Sequence, residues 1–186
     1  EKADRMIKAC RTNRVKLGVI SQRRWDRGMK ELKEAVDSGA LGKLILGEAY
    51  VKWYRTQQYY DSGKWRGTWE LDGGGCLMNQ GVHTVDCLQW VMGDVAEVTA
   101  QTALLAHEKI EVEDIAQALI KFKNGAVGTI IASTAVYPGM DERIEVLAKG
   151  DEWDELARYL QTVVADEVTK VFMQLESGRI STREEV

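Results

Sequence analysis

Asn79, His83 and Asp86 sit at i, i+4 and i+7 within LDGGGCLMNQGVHTVDCLQWVM, residues 71–92. On a helix turning about 100° per residue, this spacing aims an amide, an imidazole and a carboxylate from neighbouring turns toward one point. Cys76, Cys87 and Trp90 lie on the same side, whereas Leu77, Met78, Val82, Val85, Leu88 and Val91 make a packing side. The stripe is a candidate site for a polar ligand. Gly73, Gly74 and Gly75, just ahead of it, leave the helix N-terminus open to close backbone approach, which suits an anion at the positive end of the helix dipole. The plainer alternative is a solvated helix face carrying a hydrogen-bonded structural histidine. Against it stands Trp90, a large aromatic on the polar side. Upstream, Tyr59, Tyr60, Lys64, Trp65, Arg66 and Trp69 form a run of aromatics and cations without strand alternation, a composition that holds ligands.

Metal chemistry is the other candidate. His83 and Cys87 at i, i+4, with Cys76 on the same face, could begin a zinc site, but zinc wants three or four protein ligands and His107 is the other histidine of the chain. The expectation is therefore no metal and small, buried cysteines. Cys10, Cys76 and Cys87 are odd in number and lack CxxC spacing, which points to reduced thiols in a cytoplasmic protein. The net charge of −4 comes from interspersed acids and bases, so no extended basic face advertises nucleic acid. Arg23, Arg24, Trp25 and Arg27 make a local basic cluster, either a salt-bridged surface or a ligand contact. No apolar run approaches the roughly 20 residues that span a bilayer, and neither a signal peptide nor a membrane partner is expected.

The elements that must position the stripe follow from periodicity. Residues 3–10 read as a helix, 15–22 as a strand with Val15, Leu17 and Val19 alternating, and 26–38 as a helix with Asp26 as N-cap and Gly39 as its stop. Residues 44–54 read as a long strand ahead of the aromatic loop. Period-two alternation then marks strands at 95–106, 114–123, 126–137 and 143–148, the middle two joined at Asn124-Gly125 by a type I′ turn. Ala116, Ala118, Ile120 and Phe122 share one face, and Val127, Thr129, Ile131 and Ser133 another. From Asp151 the stripe Trp153, Leu156, Leu160, Val163, Val164, Val168, Val171, Phe172 and Leu175 predicts a helix to about Gly178, and residues 181–184 a capping box. The sum is α+β: an open, mostly antiparallel sheet with helices on one face, plus a C-terminal helix. The uncovered sheet face predicts a homo-oligomer, most simply a two-fold dimer. Neither GxGxxG nor GxxxxGK[ST] occurs, so a Rossmann cofactor domain finds no place.

Taken together, Gln22-Arg23-Arg24-Trp25, the stretch 36–54, Trp65-Arg66-Gly67-Thr68-Trp69 and residues 73–90 with their Asn-Gln-Gly-x-His run resemble the second domain of the glucose-fructose oxidoreductase, inositol dehydrogenase and MocA (Gfo/Idh/MocA) family. The likeness covers residues 3–149, which sets the domain at 1–149 and leaves 150–186 as an appended helical tail, native or redesigned. The resemblance implies a glyceraldehyde-3-phosphate-dehydrogenase-like C-terminal fold that supplies the substrate side of an NAD(P)-dependent sugar or nucleotide-sugar oxidoreductase and makes the oligomer through its open sheet face. It implies His83 as the acid/base and Asn79, where many relatives carry Asp, as an orienter of a hydroxyl, since an amide cannot share a proton. Asp86 would orient the same helix face, and Arg24, Lys52, Tyr54 and Trp69 are candidate sugar contacts. NAD or NADP belongs to the full-length family, and this chain is expected to bind neither. The alternative is an engineered or truncated stand-alone homo-oligomeric scaffold with no enzymatic activity.

Overall fold

The computed structural model describes residues 2–149 in full and residues 158–165 and 168–175 as backbone. Five helices, α1 (Lys2–Thr12), α2 (Arg27–Asp37), α3 (Gln57–Asp61), α4 (Cys76–Asn79) and α5 (Val82–Met92), accompany seven strands. The strands are β1 (Lys43–Lys52), β2 (Val95–Ala103), β3 (Ile115–Phe122), β4 (Val127–Ser133), β5 (Glu142–Lys149), β6 (Arg158–Ala165) and β7 (Val168–Leu175). They form one open sheet in the order β2-β3-β4-β1-β5-β6-β7, antiparallel throughout except for the parallel pair β1 and β4. The chain is α+β.

The core lies under the helices. β3 alternates strictly: Ala116, Ala118, Ile120 and Phe122 turn inward while Gln117, Leu119 and Lys121 turn outward. Against that inner face α2 buries Met29 and Leu32, and α5 buries Cys87, Leu88, Val91 and Met92. Each such side chain contributes roughly 1.5–3 kcal/mol by leaving water. The helices come close because Gly47 and Gly128, paired in register on β1 and β4, leave a notch. A Cβ on Gly47 would meet the Met92 side chain at 2.7 Å, and one on Gly128 would meet the Gly47 carbonyl oxygen at 2.6 Å and the Phe122 ring at 2.8 Å.

The outer face is uncovered among the described residues and is ordered in cross-strand rows. Lys121, Val127, Leu46 and Leu147 make one row, Leu119, Thr129, Glu48 and Glu145 the next, and Gln117, Ile131, Tyr50 and Arg143 the third.

Four expectations are corrected. Residues 15–20 form no strand; Val19 and Ile20 stand 89% and 78% exposed, and Gln22–Trp25 is a short 3-10 turn, because among the described residues no neighbouring strand is there to satisfy the backbone. Within the helix predicted over 151–178, the described residues form β6 and β7 instead, which pair antiparallel from Arg158↔Leu175 to Ala165↔Val168. Its Val, Thr, Tyr and Phe residues fit a strand as well as a helix, and the free edge of β5 supplies the pairing that decides the matter. The hairpin at Asn124-Gly125 forms, but Gly125 alone takes positive φ (90°) and its N–H donates to the Phe122 carbonyl, so the loop is a three-residue turn rather than type I′. The single helix over the polar stripe is broken at Gln80 and Gly81. Asp26 does stand at the α2 N-cap, where its side chain makes an ion pair with Arg23 at 3.6 Å rather than a capping hydrogen bond, and Gly39 ends the helix at φ 74°. The capping box at 181–184 lies outside the described residues.

Candidate functional site

The break decides which polar side chains meet. The N–H groups of Gln80 and Gly81 both donate to the Cys76 carbonyl, at 3.2 and 2.8 Å, so one residue is inserted into the helical ladder. An inserted residue turns everything before it by about 100° relative to α5. Gly81 fits here because its α-carbon faces Ala132 of β4, whose methyl a Cβ would meet at 3.3 Å. Asn79 is thereby separated from the stripe of α5 and joins another network. Its Nδ2 donates to Asp72 Oδ1 at 2.7 Å, and its Oδ1 accepts from Gln80 Nε2 at 3.1 Å. The other Asp72 oxygen accepts from the Gly67 N–H at 2.9 Å, and Gln80 Nε2 also lies 3.3 Å from the Tyr59 hydroxyl.

His83 stays half-buried on α5, where the Gln22 side-chain amide lies 3.5 Å from Nδ1 and 3.4 Å from Nε2. Both contacts are long for an N–H···N bond, so a ligand hydroxyl can displace the amide at small cost. One turn on, Asp86 is held by Arg24: Nε donates to Oδ2 at 2.8 Å and Nη2 to Oδ1 at 2.6 Å, a parallel fork. That fork holds the Asp86 carboxyl below the usual carboxylate range against the upward push of burial, with the Ser21 hydroxyl and the charges of Arg24 and His83 helping. The Arg24 guanidinium also lies 5.3 Å over the Trp90 ring, which explains an aromatic on the polar side without a ligand.

The glycine run is not open to an outside anion, contrary to expectation. Glu113 fills it: Oε2 accepts from the Gly75 N–H at 3.0 Å, Oε1 from the Leu77 N–H at 3.1 Å, and its carbonyl from the Cys76 N–H at 2.9 Å. A Cβ on Gly75 would lie 1.8 Å from that carbonyl oxygen, so the glycine serves an internal approach. A dinucleotide consequently does not fit these residues, because its pyrophosphate would meet a carboxylate at the one glycine-rich helix start among the described residues. Zinc fares no better. The Cys76 thiol donates to the Ala132 carbonyl at 3.3 Å, and burial pushes both Cys76 and Cys87 up to about 12, so neither offers a thiolate.

Of the remaining candidates, Lys52 lies on the outer sheet face with its ammonium 4.6 Å over the Tyr50 ring, away from α5. Tyr54 packs edge-on against Tyr137 at 5.2 Å and bridges to Ala135. Trp69 is exposed and lines a mainly apolar cavity of about 600 Å³ with Met78, Val82 and Leu104, on the packing side of the broken helix. The structure thus brings Arg24, Asp86 and His83 together, places Asn79 one network away, and leaves Lys52, Tyr54 and Trp69 apart. Gln22, Asp72, Gln80 and Tyr59 complete the polar surroundings; Tyr59 and Gln22 belong to stretches marked in the sequence, whereas Asp72 and Gln80 were given no role there. Asp72 and Gln80 flank the glycine run and Asn79 directly, which was the available signal.

Comparison with known proteins gives this arrangement a context. The model of the GFO/IDH/MocA C-terminal domain matches residues 29–150. The myo-inositol 2-dehydrogenase of Thermotoga maritima is 32% identical over 169 residues, covering 88% of this chain and 48% of that protein. The D-apiose dehydrogenase of Rhizobium rhizogenes is 28% identical over 149 residues, covering 78% and 40%. Among solved structures, the WlbA dehydrogenase of Bordetella pertussis, in complex with NADH and UDP-GlcNAcA, superposes with a TM-score of 0.80 at 34% identity, covering 94% of this chain and 52% of that one. The chain spans about half the length of the curated relatives it matches.

Proposed function

The chain belongs to the GFO/IDH/MocA family through its C-terminal domain, and on that premise we propose that it supplies the substrate side of an NAD(P)-dependent sugar or nucleotide-sugar dehydrogenase. The observation that carries this reading is His83: a half-buried imidazole, loosely held, beside a fork-paired Arg24 and Asp86 whose charges cancel. Oxidation of a sugar hydroxyl needs a base for its proton, and an imidazole is the side chain commonly used for that transfer. Asp86 anchors the next turn through Arg24. Asn79, with one amide proton committed to Asp72 and its oxygen to Gln80, has one N–H left to orient a neighbouring hydroxyl. The cofactor comes from elsewhere in the enzyme, since these residues do not accommodate it.

Two further features support the reading. α1 buries none of its residues, and the strand-patterned segment 15–20 is exposed, as expected of elements that pack on a cofactor-bearing domain. The outer rows of Leu46, Val127, Leu147, Leu119 and Ile131 form the apolar face through which copies of the chain would assemble. Among the described residues no helix is long and apolar enough to cross a membrane, and the free thiols suit the cytoplasm, where we place the protein. Titration calorimetry tests the division of labour. UDP-GlcNAcA or myo-inositol should bind saturably and more weakly to His83→Ala, while NAD(H) and NADP(H) give no binding heat; saturable micromolar dinucleotide binding would overturn the reading.

A further inference from the structure

We infer that His107 is a positioning residue that works as an imidazolium, a doubly protonated ring clamped between Asp114 and the Arg55 carbonyl so as to fix the segment 53–60, which runs into α3, beside the polar network. His107 Nδ1 lies 2.9 Å from Asp114 Oδ2, and Nε2 lies 2.8 Å from the carbonyl oxygen of Arg55. A carbonyl oxygen and a carboxylate both accept and neither donates, so the ring satisfies both contacts only with a proton on each nitrogen. The pair is buried: the side chains of His107 and Asp114 are 4% and 0% exposed. At this depth an acceptor facing a bare ring nitrogen would be left without a donor, which burial disfavours.

The other way to balance the contacts would put the proton on Asp114 instead, and its surroundings oppose this. Oδ1 accepts from the Leu105 N–H at 2.9 Å, and Oδ2 from the N–H groups of Ala106 at 2.8 Å and His107 at 3.0 Å. Burial pushes the Asp114 carboxyl up, and these donors together with the imidazole outweigh it, leaving it below the usual range. The remaining ionisable groups facing the ring leave its charge to Asp114. Tyr60 of α3 meets the imidazole edge-on at 4.6 Å and is kept neutral by burial, with its hydroxyl on Thr134. Cys76 behind it is a neutral thiol. The Arg55 guanidinium lies over Trp53 and Tyr59, at 5.2 and 5.3 Å from the ring centroids.

The clamp matters through what it holds. Arg55 and Tyr60 belong to the segment, running into α3, that places the Tyr59 hydroxyl against Arg66 Nη1 at 2.7 Å and against Gln80, the partner of Asn79. Losing one imidazole proton would set two acceptors against each other and release the Arg55 end. Long-range proton–nitrogen NMR of the ring nitrogens in the full chain decides the first point. At pH 7.5, where a free imidazole of pKa about 6.5 is mostly neutral, both His107 nitrogens should resonate as protonated. Asp114→Asn, which removes the charge but keeps the shape, should turn the ring into a single neutral tautomer at that pH. One bare ring nitrogen at pH 7.5 in the unaltered protein would overturn the inference. The positioning role is read in the same titration: the amides of residues 53–60 should shift in step with His107 as the pH rises, and amides that stay fixed while the ring titrates would refute the clamp.

Discussion

Charge at the residue scale is settled in pairs, and this defines what each group can do. Asp86 is tied by Arg24, so its role toward His83 is to hold a turn of α5 rather than to bind a ligand by itself. With side chains 38% and 27% exposed, solvent screening reduces the fork to about 1 kcal/mol. Asp86→Asn should therefore lower stability by roughly that amount at pH 7. Because the folded-state pKa is depressed, the contribution is complete above the unfolded value near 3.9 and vanishes as the pH falls through the folded one. Urea midpoints of both proteins at pH 7 and pH 3 check this: the gap should shrink in acid, and a gap that widens would mean Asp86 acts otherwise. The spacing of Asn79, His83 and Asp86 was legible because it is local. The Arg24 fork was not, since its partners lie 62 residues apart and neither sequence neighbourhood names the other.

Glycine contacts set the form of the elements. α4 begins where Glu113 reaches in from the segment before β3, and ends where Gly81 settles on Ala132; both causes are tertiary. This is why periodicity found a helix there and could not find its break. The same holds for β6 and β7, whose residues satisfy two periods until the edge of β5 is known. In contrast, β3 was legible almost to the residue and β4 in its first part, because alternation, a turn glycine and burial agree there; the strand predicted to 137 ends at Ser133. Gly75 and Gly73 make a paired test. Ala at Gly75 must displace the Glu113 carbonyl, whereas Ala at Gly73 meets nothing within 4 Å and suffers only a φ of +80°. Thermal unfolding should show Gly73→Ala costing about 1–2 kcal/mol and Gly75→Ala clearly more; equal losses would contradict the close approach of Glu113.

For the whole molecule, the open sheet is the feature that most needs a partner. Its outer rows mix Leu46, Val127, Leu147, Leu119 and Ile131 with Glu48, Glu145, Arg143 and Lys121, an apolar patch with charges set among it. Light scattering at micromolar concentration should give the mass of a homo-oligomer, and Val127→Lys or Ile131→Lys should reduce it to that of the monomer. A monomeric mass before substitution would rule the sheet-mediated assembly out. The central claim, that this chain carries the sugar side of a dehydrogenase, is tested most directly by mapping amide shifts while UDP-GlcNAcA is added to nitrogen-labelled protein. The account predicts that shifts gather on Gln22, Arg24, Asp72, Asn79 and His83 and collapse in His83→Ala. Saturable shifts confined to the outer sheet face or to the cavity beside Trp69, or no shifts at millimolar ligand, would contradict it.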